Sequence, residues 1–450
     1  MTNVLDLVDQ TVFLGEQATG ATSAIQCMWI YDRAIDMDGL RRFYRHLAQG
    51  RLSRRIEKSP LPFGRHRWVA PGRAQDIEIV PIPRPRAEFE TWLRDQGNTP
   101  LDSEHGPGWH LAVLPFTDGG AGVSLVISHC LTDGGGLALA LADATAGRDD
   151  EISWPAAGSR RRWRALLQDL RQFLRDIPAI GRAVGAAARF GRRTRGTGVS
   201  AIAPPGPFTG TDGPITIPMA TTLVDIDEWD RRARSVGATS NTLLVGVATR
   251  LAQRVGRVVA DGSVELTMPV NDRHPGDTRA NAITSVDFRI DPPAATTDLG
   301  ELRTAIKRAL IRHQDMPNER WELLPLAPLL PKWLVRRMAG MGSGSTSSVV
   351  SSNVGDIDQA VNRADGTDAD YFAIRTFGPG MTKATMHRIG GMLVVVSGRI
   401  NGKIFISVLS YQLNQPNSDE ILRQTLSDTF DDFALTPSQN RRVSTMRRSA

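Results

Sequence analysis

The stretch "VISHCLTDGGG", residues 126–136, joins two segments of different character. The residues before and within it, "GVSLVIS" (122–128), form the continuous apolar run of a buried strand, and "LALALADATAG" (137–147) resumes as a helix. The segment "HCLTDGGG" is too rich in glycine to be helical throughout, so we expect a turn there. His129 therefore lies at the end of a strand, where a side chain is well placed for function.

The residue types of this turn suit acid–base chemistry. Histidine titrates near neutral pH and is the commonest general base for an attacking hydroxyl, amine or thiol. Asp133 can point away from a cavity, accept a hydrogen bond from an arginine and hold the loop, while Gly134 leaves space where a substrate comes close. The HxxxDG pattern by itself also fits a structural or merely exposed loop histidine.

Composition places the chain among globular proteins. It has 450 residues, of which 41% are hydrophobic and 23% charged, enough for two or three domains. The two cysteines, Cys27 and Cys130, form no CxxC pattern, which argues against a disulfide framework or a structural zinc site. No signal peptide or membrane-spanning run is visible, so we expect a cytoplasmic protein and a monomer.

The positive charge is concentrated in one segment. The net charge is +6, but residues 159–195 hold eleven arginines against two aspartates, a net +9 that leaves the remainder at −3. Apolar residues recur there at helical spacing, which predicts an amphipathic helix. In the first interpretation its apolar side packs on the protein and its arginines face solvent. The expected packing side chains are Trp163, Leu166, Leu170 and Phe173, and the expected outward arginines are Arg160, Arg161, Arg162, Arg164, Arg171 and Arg175.

Two other interpretations of the basic segment stay open. It could contact an anionic membrane surface peripherally, or attract an acidic acyl carrier protein or the phosphates of coenzyme A. Nucleic acid is the weakest option and is not expected as a partner, because no aromatic-interleaved basic sheet or recognised binding motif accompanies the charge.

Composition also divides the chain. The stretch "GTGVSAIAPPGPFTGTDGP" (196–214) is typical of a linker. We therefore expect a first half at 1–195, a crossover linker at 196–213, a second half at 214–435 and a basic disordered tail at 436–450. A second loose stretch, "MAGMGSGSTSSVVSSNVGD" (338–356), lies within the second half.

Capping residues and periodicity predict mixed helices and strands. Asp36, Asp227 and Ser240 are placed to cap helices, the first with a face of Leu40, Phe43 and Leu47. The expected strands are "AGVSLVIS" (121–128), "SVELTMPVN" (263–271), "SVDFRI" (285–290), "MLVVVSGRIN" (392–401) and "KIFISVLSY" (403–411), the last two joined at Asn401-Gly402. The fold class is mixed α/β with largely antiparallel or mixed sheets.

These features together resemble the superfamily of coenzyme A-dependent acyltransferases and peptide condensation domains, especially its polyketide-associated acyltransferase and wax ester synthase/diacylglycerol acyltransferase-like branches. The resemblance covers most of the chain. Besides HxxxDG, it is carried by "LDLVDQTVFLGE" (5–16), "GATSNTLLVGVATRLAQR" (237–254), "MPVNDRHPGDTRANAITS" (268–285), "SSNVGD" (351–356) and "GGMLVVVSGRINGKIFISVLSY" (390–411).

The resemblance implies two chloramphenicol-acetyltransferase-like domains in a V with a central tunnel. His129 would lie within the tunnel and deprotonate a hydroxyl or amine acceptor for direct attack on an acyl thioester, either coenzyme A or carrier-protein-bound phosphopantetheine, without a covalent acyl-enzyme. Arg273 of "VNDR" would pair with Asp133. The expected setting is lipid or secondary metabolite biosynthesis. No bound cofactor or metal is expected.

The sequence departs from the family pattern in two places. Ser128 stands where many members have a first histidine, and the DFGWG signature of peptide condensation domains is absent, which favours a stand-alone ester- or amide-forming enzyme. A developing oxyanion needs preorganised donors, for which Asn353, Ser352 and Asn241 are candidates. The alternative function is a catalytically silent module that recruits a carrier protein or partner enzyme.

Other catalytic classes lack their motifs. No GxSxG elbow is present, which argues against a serine hydrolase of the α/β class. The eight histidines are scattered without HExxH spacing, which argues against metal catalysis. The glycine-rich "GMGSGSTSS" (340–348) lacks the lysine that a phosphate-binding loop needs, so we interpret it as a flexible loop.

Overall fold

The computed structural model describes residues 3–72, 76–148, 153–196, 208–291, 298–315, 319–338 and 348–437. Its strands are β1 (Ala24–Tyr31), β2 (Arg55–Glu57), β3 (Arg67–Val69), β4 (Glu78–Ile79), β5 (Trp109–Pro115), β6 (Ala121–Ser128), β7 (Met219–Asp225), β8 (Val264–Asn271), β9 (Ile283–Ile290), β10 (Val349–Asp356), β11 (Tyr371–Phe377), β12 (Met392–Ile400) and β13 (Lys403–Tyr411).

The helices of the described residues are distributed over both halves. They are α1 (Leu7–Thr19), α2 (Met37–Gln49), α3 (Phe89–Gly97), α4 (Gly134–Ala146), α5 (Arg162–Gly196), α6 (Ile226–Ser235), α7 (Ser240–Arg254), α8 (Gly300–Asp315), α9 (Glu319–Glu322), α10 (Lys332–Met338), α11 (Lys383–Ile389) and α12 (Asp419–Asp432). None of the helices in the described part of the chain is both long and apolar enough to cross a membrane.

The first sheet has the strand order β11-β1-β6-β5-β4. Strand β6 is antiparallel to both β1 and β5, and each of its eight positions is buried, as the apolar run from Ala121 to Ser128 predicts. Strand β11 comes from the segment after the linker and pairs antiparallel with β1. The second half therefore contributes a strand to the sheet that carries the HxxxDG motif.

The second sheet has the order β7-β13-β12-β10-β8-β9. Strand β10 runs parallel to β12 and β8, and the remaining pairs are antiparallel, so the predicted mixed α/β class is confirmed. The hairpin between β12 and β13 is also confirmed. Asn401 and Gly402 both have positive φ, 49° and 68°, which a tight hairpin of matching twist requires.

Two large cores stabilise these sheets. One lies mainly in the first half but includes second-half residues: the ring centroids of Trp29 and Phe372 are 5.3 Å apart, and those of Phe372 and Phe405 are 6.1 Å apart. The other lies between the second sheet and helices α7 and α12, with Leu243, Val247 and other apolar side chains of α7 buried. The first core thus joins the two halves.

Helix starts agree with the sequence to within two residues. Asp36 caps α2 as predicted, and Leu40, Phe43 and Leu47 are buried. The other two predicted caps are wrong. Asp225, not Asp227, caps α6 by accepting from the backbone N–H groups of residues 227 and 228, and Thr239, not Ser240, caps α7. The cap precedes the first helical residue with extended backbone, which local sequence alone does not place.

The glycines of the motif and the second loose stretch also differ from expectation. Residues 129–131 form the predicted turn, but Gly134–Ala146 is helical, so the three glycines belong to the first turn of α4. Within 338–356, residues 349–356 form β10. Three segments on which predictions were made lie outside the described residues. They are 339–347 of the loose stretch, which was expected to be flexible, 197–207 of the linker and 438–450 of the tail.

The basic segment forms a long helix, α5, as predicted, and five of the six arginines expected to face solvent are exposed: Arg161, Arg162, Arg164, Arg171 and Arg175. The predicted packing side of the helix, however, is wrong. Trp163, Leu166 and Leu170 are each more than 40% exposed, and only Phe173 of the expected packing residues meets the protein, through the Phe63 ring. Arg160 points inward and pairs with Glu57 and Asp169, both at 2.9 Å. The reason is that small residues and an aspartate, rather than the large apolar side chains, form the inward side.

Candidate functional site

His129 follows the last residue of β6 and is held through its backbone. Its N–H donates to the carbonyl of Ser23 at 2.8 Å, and its own carbonyl accepts from Asn281 Nδ2 at 3.1 Å. The imidazole is partly exposed and has no hydrogen-bond partner among the described residues. The backbone of His129 is thus fixed, and its ring nitrogens are available to a further group.

The carboxylate of Asp133 makes structural contacts: it caps a helix, accepts from a backbone N–H of the second half and pairs with an arginine. It is 2% exposed, and Oδ1 accepts from the N–H of Gly136 at 2.6 Å, capping α4. Oδ2 accepts from Ala282 N at 2.7 Å and from Arg273 Nη2 at 3.0 Å. The backbone N–H of Asp133 donates to the Ala280 carbonyl at 3.0 Å. This aspartate therefore joins the motif to the loop 280–282 of the second half.

Arg273 lies just beyond the end of β8, and its side chain is 6% exposed. Besides Asp133, its guanidinium donates to the carbonyls of Arg279 at 2.9 Å and Ala280 at 3.0 Å. The arginine and aspartate that the resemblance pairs are therefore in direct contact, one from each half. Since the pair is buried and also bonded to backbone, removing one partner leaves an uncompensated charge.

The steric need for glycine is at the third position of the run. A Cβ placed on Gly134 would lie 3.4 Å from Val354 Cγ2, an ordinary contact. A Cβ on Gly136 would lie 2.8 Å from Thr132 Oγ1 and 2.9 Å from Arg273 Nη2. Gly136 therefore makes room for the ion pair. The first glycine only adjoins the strand β10 of the second half.

The position before the histidine faces the interior. Ser128 is fully buried, and its Oγ accepts from Ser103 Oγ at 2.9 Å and from the Cys130 N–H at 3.1 Å. Both cysteines are buried as well, and burial raises the pKa of the Cys27 and Cys130 thiols. Neither thiol is suited to act as a nucleophile. His129 is thus the chemically available residue of this stretch.

A buried carboxylate that the sequence analysis missed supports the same loop. Asp9 of α1 is fully buried and accepts from the backbone N–H groups of Ala280 at 3.0 Å and Asn281 at 2.7 Å, and from Asn281 Nδ2 at 3.1 Å. Asn281 Nδ2 also donates to the His129 carbonyl. Asp9 therefore reaches the histidine through one intervening residue.

Charge and burial compete at Asp9. Burial raises the pKa of its carboxyl to about 6, against the opposing effects of nearby Arg54 and of the donors from Ala280 and Asn281. Burial also lowers the pKa of Arg54 to about 10. Arg54 donates to the carbonyls of Leu131 at 2.9 Å and Thr278 at 2.6 Å, so it too connects the motif to the second half.

One signal for Asp9 was present in the sequence. Asp9 precedes Phe13 by four residues, which places both on one face of α1, and both are buried. An acid on the apolar face of a helix needs a polar partner elsewhere in the fold. Arg54 and Asn281 offer no comparable local pattern, because their partners are defined only by tertiary contacts.

The three candidates for oxyanion stabilisation lie on neighbouring elements. Asn353 Nδ2 donates to Asn241 Oδ1 at 3.3 Å, and Asn353 Oδ1 accepts from the Gly355 N–H at 2.9 Å. Asn241 Nδ2 lies 3.4 Å from Met268 Sδ. Ser352 precedes Asn353 on β10, where its backbone pairs with Val396. The two asparagines thus contact each other and β10 adjoins the motif at Gly134.

The titratable side chains of the described residues form no metal centre. Within the described ranges, no three His, Cys, Asp or Glu side chains group in a way that could hold a metal ion.

Comparison with known proteins identifies the fold. No protein-family profile and no curated protein matches the sequence, whereas solved structures match over nearly the whole chain. The first condensation domain of the calcium-dependent antibiotic synthetase, in complex with a substrate analogue, has a TM-score of 0.58 at 15% identity and covers 96% of each chain. Polyketide synthase associated protein 5 from Mycobacterium tuberculosis has a TM-score of 0.54 at 13% identity, covering 95% of this chain and 96% of that one.

Two further structures match the chain equally well over its length. The wax ester synthase/diacylglycerol acyltransferase from Marinobacter aquaeolei VT8 has a TM-score of 0.53 at 15% identity, covering 96% of this chain and all of that one (100%). A starter condensation domain of rhizomide synthetase, in complex with C8-CoA, has a TM-score of 0.52 at 15% identity, covering 99% and 97%. The chain therefore has the fold that these condensation domains and acyltransferases share.

Proposed function

We propose that this protein transfers an acyl group from a thioester to a hydroxyl or amine, with His129 as the general base. The observation that carries the proposal is the partly exposed His129 ring, which has no partner among the described residues although its backbone is fixed on both sides. A general base needs a fixed position and a free nitrogen in reach of the acceptor. The hydrogen bonds of the His129 backbone with Ser23 and Asn281 support the fixed position, and the Asp133–Arg273 pair at 3.0 Å holds the end of the turn that follows.

The proposed step needs no covalent enzyme intermediate. The acceptor O–H or N–H loses its proton to a His129 ring nitrogen as its oxygen or nitrogen attacks the thioester carbonyl. The tetrahedral intermediate then collapses, the carbon–sulfur bond breaks, and the leaving thiolate takes the proton from the imidazolium. Asn353, Asn241 or Ser352 would donate to the oxyanion. The two thiols of the chain are buried and are not offered to the acyl group.

The donor class follows from the resemblance and from one neighbour. That neighbour is a starter condensation domain in complex with C8-CoA. We propose coenzyme A or a phosphopantetheine-bearing carrier protein as the donor of the acyl group here, in lipid or secondary metabolite synthesis. His129 would lie within a tunnel between the halves, with donor and acceptor entering from opposite mouths.

The test is product formation from a panel of acyl-coenzyme A and acyl-carrier thioesters with hydroxyl and amine acceptors, followed by mass spectrometry. His129→Ala should lower kcat/KM at least about a hundredfold, the loss expected for a missing general base. Its melting temperature should stay near that of the parent, because the ring makes no hydrogen bond within the described structure. His105→Ala is the matched control, since that ring is 74% exposed and its partners among the described residues are Asp102 and Glu104.

Two results would contradict the proposal. One is full turnover by His129→Ala, which would exclude the histidine as the base. The other is a parent protein that binds acyl carrier protein yet forms no product with any donor and acceptor, which would favour the silent recruiting module.

A further inference from the structure

Helix α5 presents a continuous apolar stripe to solvent. Seven large apolar side chains on it are between 41 and 55% exposed: Trp163, Leu166, Leu167, Leu170, Leu174, Ile177 and Val184. At about 100° per residue these positions fall within an arc of about 100° on one side of the helix. The stripe therefore runs along the helix as one surface and is not a scatter of single residues.

The opposite side of α5 packs on the rest of the protein and keeps the helix from rotating about its axis. Asp169 is 1% exposed and accepts from Arg67 and Arg160, both at 2.9 Å, and from Ser59 Oγ at 2.7 Å. Among the described side chains of the helix, the other buried ones are small: Ala165, Ala183 and Ala186. Rotating the helix to bury its leucines would break the Asp169 network. The apolar stripe is thus held outward by the fold.

Arginines lie along one edge of this stripe. Arg164, Arg171, Arg175 and Arg182 follow one line of the helix, about 100° from the centre of the stripe, and all are exposed. No carboxylate of the described residues forms an ion pair with any of them. The two acids of the helix, Asp169 and Asp176, instead pair with Arg67, Arg160 and Arg65 of the protein body or the helix start. The outward surface of α5 is therefore apolar and cationic, with no exposed acid.

We propose that α5 lies in the surface of an anionic lipid bilayer, with the apolar stripe inserted among the acyl chains and the arginines at the headgroups. A Trp- and Leu-rich face beside a basic face is the chemistry that binds such a surface. A second copy of the chain is the poorer occupant, because two copies would oppose their arginines. The inference is independent of the proposed acyl transfer, because the test measures binding without turnover.

The first experiment is flotation of the full chain with vesicles of phosphatidylcholine, alone or mixed with an equal part of phosphatidylglycerol. We expect binding to the mixed vesicles and little to phosphatidylcholine alone. Arg164→Gln/Arg171→Gln/Arg175→Gln should weaken binding about a hundredfold, since each arginine near an anionic surface strengthens it about fivefold. The control Arg41→Gln/Arg42→Gln/Arg45→Gln removes the same charge from exposed positions of α2 and should bind like the parent.

The second set of variants tests insertion rather than charge attraction. Leu166→Gln/Leu170→Gln/Leu174→Gln should lower binding to the mixed vesicles roughly tenfold or more, because apolar side chains drive entry into the interface. The control Ile82→Gln/Ile311→Gln/Ile421→Gln changes exposed apolar residues outside α5 and should have no effect. Helix content by circular dichroism should be unchanged in both.

A fluorescent label reports the depth directly. Because Cys27 and Cys130 are buried, an environment-sensitive thiol dye reacts selectively with an added cysteine. With mixed vesicles, dye at Leu167→Cys should shift to shorter wavelength, and dye at Gln168→Cys, exposed on the same helix but outside the stripe, should shift less. Two results would overturn the proposal. The first is that the parent does not bind vesicles. The second is that only the arginine variant loses vesicle binding and the dye at residue 167 shows no wavelength shift. The second result would favour an acidic protein partner.

Discussion

At the scale of single residues, the Asp133–Arg273 contact decides whether the motif is held as proposed. Asp133→Ala should cost about 3 to 5 kcal/mol of unfolding free energy, because Arg273 stays buried without its partner. Asp133→Ala/Arg273→Ala should be less destabilised than the sum of the two single variants. Urea denaturation of all four proteins measures the coupling. Simple addition of the two single losses would mean that the contact carries no mutual stabilisation.

Gly136 gives a second prediction at this scale. Gly136→Ala should lower the melting temperature by several degrees and reduce turnover, because its Cβ would meet Thr132 Oγ1 and Arg273 Nη2 at less than 3 Å. Gly134→Ala is the matched control and should be milder, since its Cβ would make an ordinary 3.4 Å contact with Val354. Thermal unfolding of both variants checks the difference. Equal effects in the two variants would show that the space beside the ion pair does not distinguish Gly136 from Gly134.

At the scale of elements, the sequence predicted the positions of strands better than it predicted which face of a helix packs on the protein. The apolar run at 121–128 and the Asn401-Gly402 pair define β6 and the last hairpin from local chemistry alone. The inward side of α5 was not predictable, because large leucines normally mark the packing face of a helix. Here the packing face instead carries Asp169, whose arginine partners are distant in sequence or precede the helix. The Asp9–Asn281 support was missed for the same reason, since residues 9 and 281 meet only in the folded chain.

Asp169 also provides the prediction for this scale. Asp169→Asn should loosen α5 locally, because Arg67 and Arg160 lose their shared buried anion, a loss of about 3 kcal/mol. Amide hydrogen exchange within residues 162–189 should then be about a hundredfold faster, while α7 is unaffected. Asp176→Asn is the control, because that acid lies 3.6 Å from Arg65 and is less buried. Similar exchange in both variants would mean that other contacts attach the helix.

At the scale of the whole molecule, the two halves are joined at several points and should unfold together. Strand β11 pairs with β1, and Arg375 of β11 donates to Gln26 Oε1 at 2.7 Å. Trp29 Nε1 donates to the Val361 carbonyl at 2.8 Å. Asp9 adds a third connection, from α1 to the 280–281 backbone. The histidine therefore lies at a junction whose geometry depends on both halves, and a titratable group is part of that junction.

The Asp9 carboxyl predicts how the stability of the junction depends on pH. Its pKa in the folded protein is about 6, above the ordinary value of 3.8, so the folded state keeps this proton to higher pH than the unfolded state does. The contribution is fully present below about pH 4 and is lost as pH rises to about 6. Between these values the unfolding free energy of the parent should fall by up to about 3 kcal/mol relative to Asp9→Asn, which cannot titrate.

Measuring urea unfolding of both proteins across this range separates Asp9 from the other titrating groups, because those are common to both and cancel in the difference. Asp36→Asn is the control of opposite sign. The backbone N–H groups of Gly39 and Asp38 hold the pKa of Asp36 below its ordinary value, so its contribution is present above that value and lost as pH falls. A parent-minus-variant difference for Asp9 that is flat with pH would mean that the donors of Ala280 and Asn281, together with Arg54, keep the carboxyl ionised. The support of His129 would then be an ion-pair network at every pH.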